Sequence, residues 1–284
     1  MRVAVSGYNG FIGRNLCRQL GLMRYTVEQI PRSSLQGPVS ELAEALNGAK
    51  AVLNMAGSPV ITRWSRKNKK EIYNSRILSI RNLVEALHLI PSKPDIFITV
   101  SAVGIYEYDE YHDETSKRMA NDFLGNIVRD WEEAASKCAE MGIRTVIFRL
   151  GVVLGKDGGA FPRMVLPFRL GLGGPLGNGE QAFSFVHIED VMNAFMFALE
   201  NKNVYGIYNV VAPDYINGKD MAKAIGDCLK RPAFLRIPEW MLGIVYGKGA
   251  TVLTKGRYVI PKRLLEEGFV FKYDTIEKTL KSLL

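Results

Sequence analysis

Two kinds of apolar run alternate along the chain. Short, nearly unbroken runs occur from Met1 to Ser6, Tyr25 to Ile30, Ala51 to Met55, Ile96 to Val100, Arg144 to Leu150 and Gly206 to Val211. Between them lie longer segments with apolar residues at helical spacing: Val39 to Leu46, Ser65 to Leu89, Asn121 to Met141, Val191 to Leu199 and Asp220 to Leu229. In the longest, Ile72, Ile77, Ile80, Leu83 and Leu87 recur near the helical period, and Pro91 and Pro94 end it. Strands that read as continuous apolar runs are buried on both faces. The alternation therefore predicts an α/β fold, a parallel sheet covered by helices on both sides. The pattern changes after Gly151. Gly155 to Gly179 is rich in glycine and proline around one short helical stretch, as expected of a cleft wall. The predicted organisation is one domain over 1–235, with lobe insertions from about residue 155, and a C-terminal module over 236–284.

The junction of the first strand and first helix carries the clearest chemistry. Gly7, Gly10 and Gly13 are spaced G-x-x-G-x-x-G between Ser6 and the helical run Arg14–Leu20. Gly7 permits a tight turn, Gly10 lets backbone N–H groups approach a pyrophosphate, and Gly13 lets the helix pack close to the strand. The helix N-terminus then faces the phosphates. A strand, glycine turn and helix in this order predict a Rossmann doubly wound sheet that binds a dinucleotide. The end of the second strand selects which one. An Asp or Glu there bonds a ribose 2′-hydroxyl, whereas an Arg accommodates a 2′-phosphate. Here the sequence is Gln29-Ile30-Pro31-Arg32-Ser33-Ser34, with Glu28 inside the strand. Arg32 and Ser33 suit a phosphate, so the expected cofactor is NADP.

Composition narrows the partners. At 47% apolar residues a full core is available. No run approaches the ~18 apolar residues of a membrane span, and nothing resembles a signal peptide. Cys17, Cys138 and Cys228 are widely spaced, and His88, His112 and His187 show no metal-ligand spacing. A cytoplasmic protein without a metal site is expected. Much of the +8 net charge sits at Arg63, Arg66, Lys67, Lys69 and Lys70. Only Trp64 among them stacks like a base-binding aromatic, so a solvated helix start is expected rather than a nucleic-acid surface. The expected partner is a small molecule, anionic or sugar-nucleotide in class, with neither nucleic acid nor membrane involved.

The glycine turn resembles that of the extended short-chain dehydrogenase/reductases, the sugar-nucleotide epimerase relatives. A narrower resemblance spans nearly the whole chain. Asn54-Met55-Ala56-Gly57, Arg63-Trp64, Ser75-Arg76, Ser101-Ala102-Val103-Gly104-Ile105-Tyr106, Asp130-Trp131-Glu132, the long segment Leu166–Gly177 and His187-Ile188-Glu189-Asp190 are similar to the atypical epimerase family 39U branch. The tail, with Ile260-Pro261-Lys262-Arg263-Leu264-Leu265 and Gly268-Phe269, looks like that branch's C-terminal module. The resemblance implies a Rossmann domain with a small C-terminal substrate lobe. It also implies cofactor contacts from Gly7, Asn9, Gly10, Phe11, Ile12, Arg32, Ser33, Met55, Ala56, Gly57, Glu71, Arg76, Val152 and Val153.

Catalytic members of that superfamily use a Tyr and a Lys four apart on one helix face, with an upstream Ser or Thr. Tyr215/Lys219 has the spacing but straddles Asn217-Gly218, and Tyr258/Lys262 contains Pro261. Alignment by the resemblance puts Ile127 and Trp131 at the Tyr and Lys positions, Ala102 at the Ser position and Arg76 at a helix Asn position. The expectation is an NADP-dependent oxidoreductase or epimerase-like enzyme with a relocated acid/base. Tyr106 is its candidate proton donor, Ser101 its candidate substrate-oxygen partner, and Arg169 a group for an anionic substrate. His187 is expected to cap the helix near Asp190, and Asp113-Glu114 to be solvated. The alternative is a non-catalytic NADPH-binding sensor or interaction protein.

Overall fold

Six parallel strands form the central sheet of the computed structural model, which describes residues 1–284. In chain order the strands are β1 (Arg2–Ser6), β2 (Thr26–Ile30), β3 (Ala51–Asn54), β4 (Ile96–Ala102), β5 (Tyr111–His112), β6 (Arg144–Leu150), β7 (Val152–Gly155), β8 (Gly158–Gly159), β9 (Phe185–His187), β10 (Gly206–Val210) and β11 (Tyr258–Val259). The sheet runs β2-β1-β3-β4-β6-β10. β3 and β4 are almost wholly buried, as their apolar runs require. The order reverses at β1, with β2 on one side and β3 on the other. A crevice opens at such a switch point, beyond the carboxyl ends of the strands.

The helices are α1 (Phe11–Leu22), α2 (Arg32–Gln36), α3 (Val39–Leu46), α4 (Arg66–Leu89), α5 (Phe123–Glu140), α6 (Phe161–Arg169), α7 (Ile188–Glu200), α8 (Gly218–Leu229), α9 (Glu239–Tyr246), α10 (Thr251–Thr254), α11 (Lys262–Glu266) and α12 (Ile276–Leu283). Sequence periodicity left the tail helices α9 to α12 unassigned and missed shorter pieces. One is α2, whose Arg-Ser-Ser-Leu-Gln has no full turn of apolar repeat, and another is the β8 hairpin inside the glycine-rich stretch.

The register puts three polar residues in one buried row. Ser6 pairs with Asn54 across β1–β3, and Asn54 with Thr99 across β3–β4. The Ser6 hydroxyl donates to Asn54 Oδ1 at 2.6 Å, and Asn54 Nδ2 donates to Thr99 Oγ1 at 3.1 Å. A row of mutually satisfied polar groups pins the relative height of these three strand ends, because any slip would strand buried donors.

The 237–284 tail does not pack as a separate body. Leu264, Phe269 and Phe271 join the main core, whereas Ile276, Leu280 and Leu283 of α12 join Phe161, Val165, Phe168, Met221 and Ile225 in a second core. β11 pairs with β5. The tail thus fastens the lobe to the sheet.

Candidate functional site

At the end of β1 the three glycines do what their spacing implied. Gly7 has φ +74°, and a Cβ there would lie 2.5 Å from the Met55 carbonyl carbon. A Cβ at Gly13 would lie 2.2 Å from the Gly7 carbonyl oxygen. The Gly10 N–H donates to that oxygen at 2.9 Å, and Gly10 caps α1 without any side-chain bond. No acidic residue occupies the first turn of α1. Its leading N–H groups therefore face the crevice uncapped, with the positive end of the helix dipole. Asn9 is exposed, and its carbonyl accepts from Arg14 Nη1 at 2.9 Å. Ile12 packs on the core. The Phe11 ring fills the space left by Gly155, Gly158 and Gly159, where a Cβ at Gly155 would lie 2.4 Å from it. That packing ties the β7–β8 hairpin to the glycine turn and places half-buried Val152 and Val153 beside it.

Arg32 and Ser33 follow β2 directly and both are exposed. The Arg32 guanidinium is ion-paired with Glu71 on α4. Ser58 Oγ donates to the same Glu71 oxygen at 2.9 Å, and these two donors hold the Glu71 carboxyl below the usual carboxylate range. Glu71 and Arg76, both expected at the cofactor, are not paired with each other. The structure instead bonds Glu71 to Arg32 and turns Arg76 elsewhere.

Arg76 lies under Gly57, in the loop after β3. A Cβ at Gly57 would fall 3.0 Å from the Arg76 Cζ. Its Nη1 donates to the Ile72 carbonyl at 3.2 Å, and its Cζ stands 5.4 Å from the centre of the Trp131 ring. It has no carboxylate partner, and burial lowers its pKa to about 10. A desolvated cation beside a glycine is suited to an anion entering the crevice. Nearby, Met55 is half-buried, Ala56 is buried, and the Ser58 N–H donates to Ser75 Oγ at 2.9 Å.

The two catalytic candidates need correction. Tyr106 is 0% exposed. Its hydroxyl donates to Asn209 Oδ1 at 2.9 Å and accepts from Arg149 Nη1 at 2.8 Å, and its ring stacks on His112 at 4.8 Å. Burial pushes its pKa up, against the lowering effect of Arg149. The turn Val103–Ile105 sends the chain inward after β4 rather than along the crevice. Ser101 is also buried, its Oγ donating to Glu132 Oε1 at 2.6 Å. Glu132 holds Arg149 through two bonds of 2.8 and 2.6 Å. Strand alternation explains this: Ser101 faces α5, and its neighbour Ala102 takes the opposite side. Both candidates thus belong to one buried network running from Ser101 through Glu132 and Arg149 to Tyr106.

Other polar candidates are similarly engaged. His187 caps α7 as expected, its Nδ1 accepting from the Glu189 N–H at 3.1 Å, and the helix begins at Ile188, two residues before Asp190. Glu114 is not a solvated carboxylate: it accepts the Asn209 N–H at 2.9 Å, and burial raises its pKa. Arg169 ends α6 and is exposed. Ile127 and Trp131 are buried, and Trp131 Nε1 has no hydrogen-bond partner. Sequence reasoning missed the Ser6–Asn54–Thr99 row and the Glu132–Arg149 pair. The only signal for either was a polar residue interrupting an apolar run.

A glycine turn at the switch point, flanked by two arginines, matches a known architecture in sequence as well as shape. The family model described as NAD dependent epimerase/dehydratase family matches residues 3–211. This chain belongs to that family. A domain of unknown function, DUF1731, matches residues 237–283. The chain is 36% identical to the epimerase family protein SDR39U1 of Homo sapiens, over 100% of this chain and 99% of that protein. It is 37% identical to the chloroplastic SDR39U1 homolog of Arabidopsis thaliana, over 100% of this chain and 87% of that one. The crystal structure of human SDR39U1 (isoform 2) with NADPH superposes with a TM-score of 0.91 at 35% identity, covering 100% and 99% of the two chains. The α/β Rossmann-type fold follows from both routes. No helix is long and apolar enough to cross a membrane.

Proposed function

We propose that this chain binds NADP(H) in the crevice at β1–α1 and is an atypical short-chain dehydrogenase/reductase, an oxidoreductase or nucleoside-diphosphate-sugar epimerase-like enzyme without the usual Tyr/Lys pair. The observation that carries the binding reading is Arg76, a desolvated cation under Gly57 with no carboxylate partner. The uncapped N-terminus of α1 and the glycine cradle, where a Cβ would clash, fit a pyrophosphate. Arg32 and Ser33 take the 2′-phosphate, with Glu71 and Ser58 holding Arg32 at the mouth. Met55, Ala56 and Gly57 flank the adenosine, and Val152 and Val153 wall the nicotinamide end. NADPH in the human SDR39U1 crystal supports this choice of cofactor.

When bound, the nicotinamide supplies or accepts hydride. The chain's own residues bind, orient and exclude water, and Ala102, Ile127 and Trp131 leave the expected acid/base positions without a titrating group. The buried network holds both hydroxyls, so in this reading Tyr106 is not the proton donor and Ser101 is not the substrate-oxygen partner. This favours a reaction whose proton comes from solvent or from the substrate, or the second reading, a non-catalytic NADPH-binding sensor. The substrate class proposed is a small anionic carbonyl or sugar-nucleotide compound meeting Arg169. A cytoplasmic setting, read from three widely spaced cysteines, is part of the proposal. A hydride-transfer screen with NADPH and carbonyl or nucleotide-sugar compounds separates the two readings. Turnover that survives Tyr106→Phe supports the enzyme, and NADPH binding with no turnover across the screen supports the sensor.

A further inference from the structure

The apolar surface of α9 and the basic start of α4 are unused by the site described above, and the loop that leads into α4 packs on the end of α9. In α9 only Leu242 is buried, whereas Trp240, Ile244 and Val245 are 66%, 65% and 60% exposed. Leaving large side chains of one helix together in water is unfavourable, and clustered exposure of this kind marks an interaction surface. The segment after α9 is locked on the loop that leads into α4. A Cβ at Gly249 would lie 2.2 Å from the Thr62 carbonyl oxygen, and Arg63 Nη1 donates to the Ile244 carbonyl at 3.3 Å.

The start of α4 is an electrostatic anomaly. Arg66, Lys67, Lys69 and Lys70 occupy its opening turns, no acidic residue stands in the first turn, and cations oppose the helix dipole at that end. Lys69 is occupied over the Phe123 ring at 4.8 Å. Arg66, Lys67, Lys70 and nearby Lys248 are exposed and form no ion pair. An apolar helix face with exposed cations on one side and Glu239 as its one carboxylate is complementary to an anionic lipid surface, with tryptophan and isoleucine entering the headgroup region and the cations meeting lipid phosphates.

We propose that α9, with the basic start of α4, docks this protein peripherally on an anionic membrane surface. The sequence excluded a spanning helix and, on that basis, a membrane partner. The folded surface supplies an interfacial contact that spans nothing.

The test is co-sedimentation of the full chain with vesicles of phosphatidylcholine, alone or mixed with phosphatidylglycerol. The expected result is pelleting with the mixed vesicles only, weakened by salt. Ile244→Asp, at an exposed position, lowers partitioning about ten-fold or more. Lys67→Glu lowers it about five-fold or more. Both variants keep the wild-type melting temperature. In the unaltered chain, mixed vesicles shift the indole emission to the blue, and Trp240→Phe abolishes that shift. No pelleting with mixed vesicles overturns the proposal. So does equal pelleting with phosphatidylcholine alone, pelleting indifferent to Ile244→Asp, or a stable dimer that Ile244→Asp dissociates while vesicle binding is absent.

Discussion

Arg32 and Arg76 divide the work of holding phosphate in different ways. Arg32 is exposed and already paired with Glu71, so its contribution to a 2′-phosphate is an exchange of one anion for another. Arg76 is desolvated and unpaired by carboxylate, so an incoming anion compensates a cost the fold already carries. Replacing Arg32 with Ala is therefore expected to weaken NADPH about ten- to a hundred-fold and NADH little, measured by titrating dihydronicotinamide fluorescence. Equal weakening of both would remove the 2′-phosphate assignment. The buried pair Glu132–Arg149 has no such external role. Glu132→Gln leaves Arg149 without its counter-charge and is expected to cost about 3–5 kcal/mol in chemical denaturation. Tyr106→Phe should cost about 2–4 kcal/mol, because it strands the buried Asn209 Oδ1 and Arg149 Nη1, and leave NADPH affinity unchanged.

His187 sets a pH dependence of stability. Its ring is buried, accepts from the Glu189 N–H, meets Ser282 Oγ at 3.1 Å and lies 3.8 Å from the Tyr273 ring. Burial lowers its pKa from 6.5 to about 4, with Glu189 opposing and Lys272 reinforcing the shift. The unfolded chain thus binds the proton more readily than the folded one. The contribution is complete above pH ~6.5 and is lost as pH falls toward ~4. It amounts to about 3 kcal/mol, and a His187→Gln variant should lose that part of the acid slope in melts between those pH values.

At the scale of elements, α1 offers a controlled comparison within one helix. Gly13→Ala drives a Cβ to 2.2 Å from the Gly7 oxygen, whereas a Cβ at Gly21 meets nothing within 4 Å. Gly13→Ala should destabilise by about 1–3 kcal/mol and abolish dinucleotide binding. Gly21→Ala should stabilise by about 0.5–1 kcal/mol and leave binding intact, as thermal melts with and without NADPH would reveal. The same helix shows why so much of the fold was legible. Glycine spacing acts within a few residues, so turn, strand and helix could be read locally, and the apolar runs of β3, β4 and β6 announced strands covered on both faces. Tyr106 and Ser101 were misread because strand alternation and an inward turn decide where a side chain goes. Nothing within Ser101–Tyr106 announces that Glu132 waits on α5 or that Arg149 lies opposite Ser101 on β6.

At the scale of the whole molecule, the tail joins both cores and pairs β11 with β5, so the cleft lobe and the sheet are held by the same last residues. The family resemblance of Ile260–Leu265 and Gly268-Phe269 pictured the tail as a module. Long-range packing of Leu264, Phe269 and Leu280 is invisible to a local pattern. Thermal stabilisation by NADPH, NADP⁺, NADH and NAD⁺ at matched concentrations reads occupancy of the crevice itself. A ligand that binds only the folded chain raises its melting temperature in proportion to its affinity. If the crevice holds NADP(H), the melting temperature rises with NADPH and NADP⁺, Arg32→Ala reduces that rise, and NADH and NAD⁺ shift it little. Absence of any shift, or equal shifts with all four, would contradict that assignment.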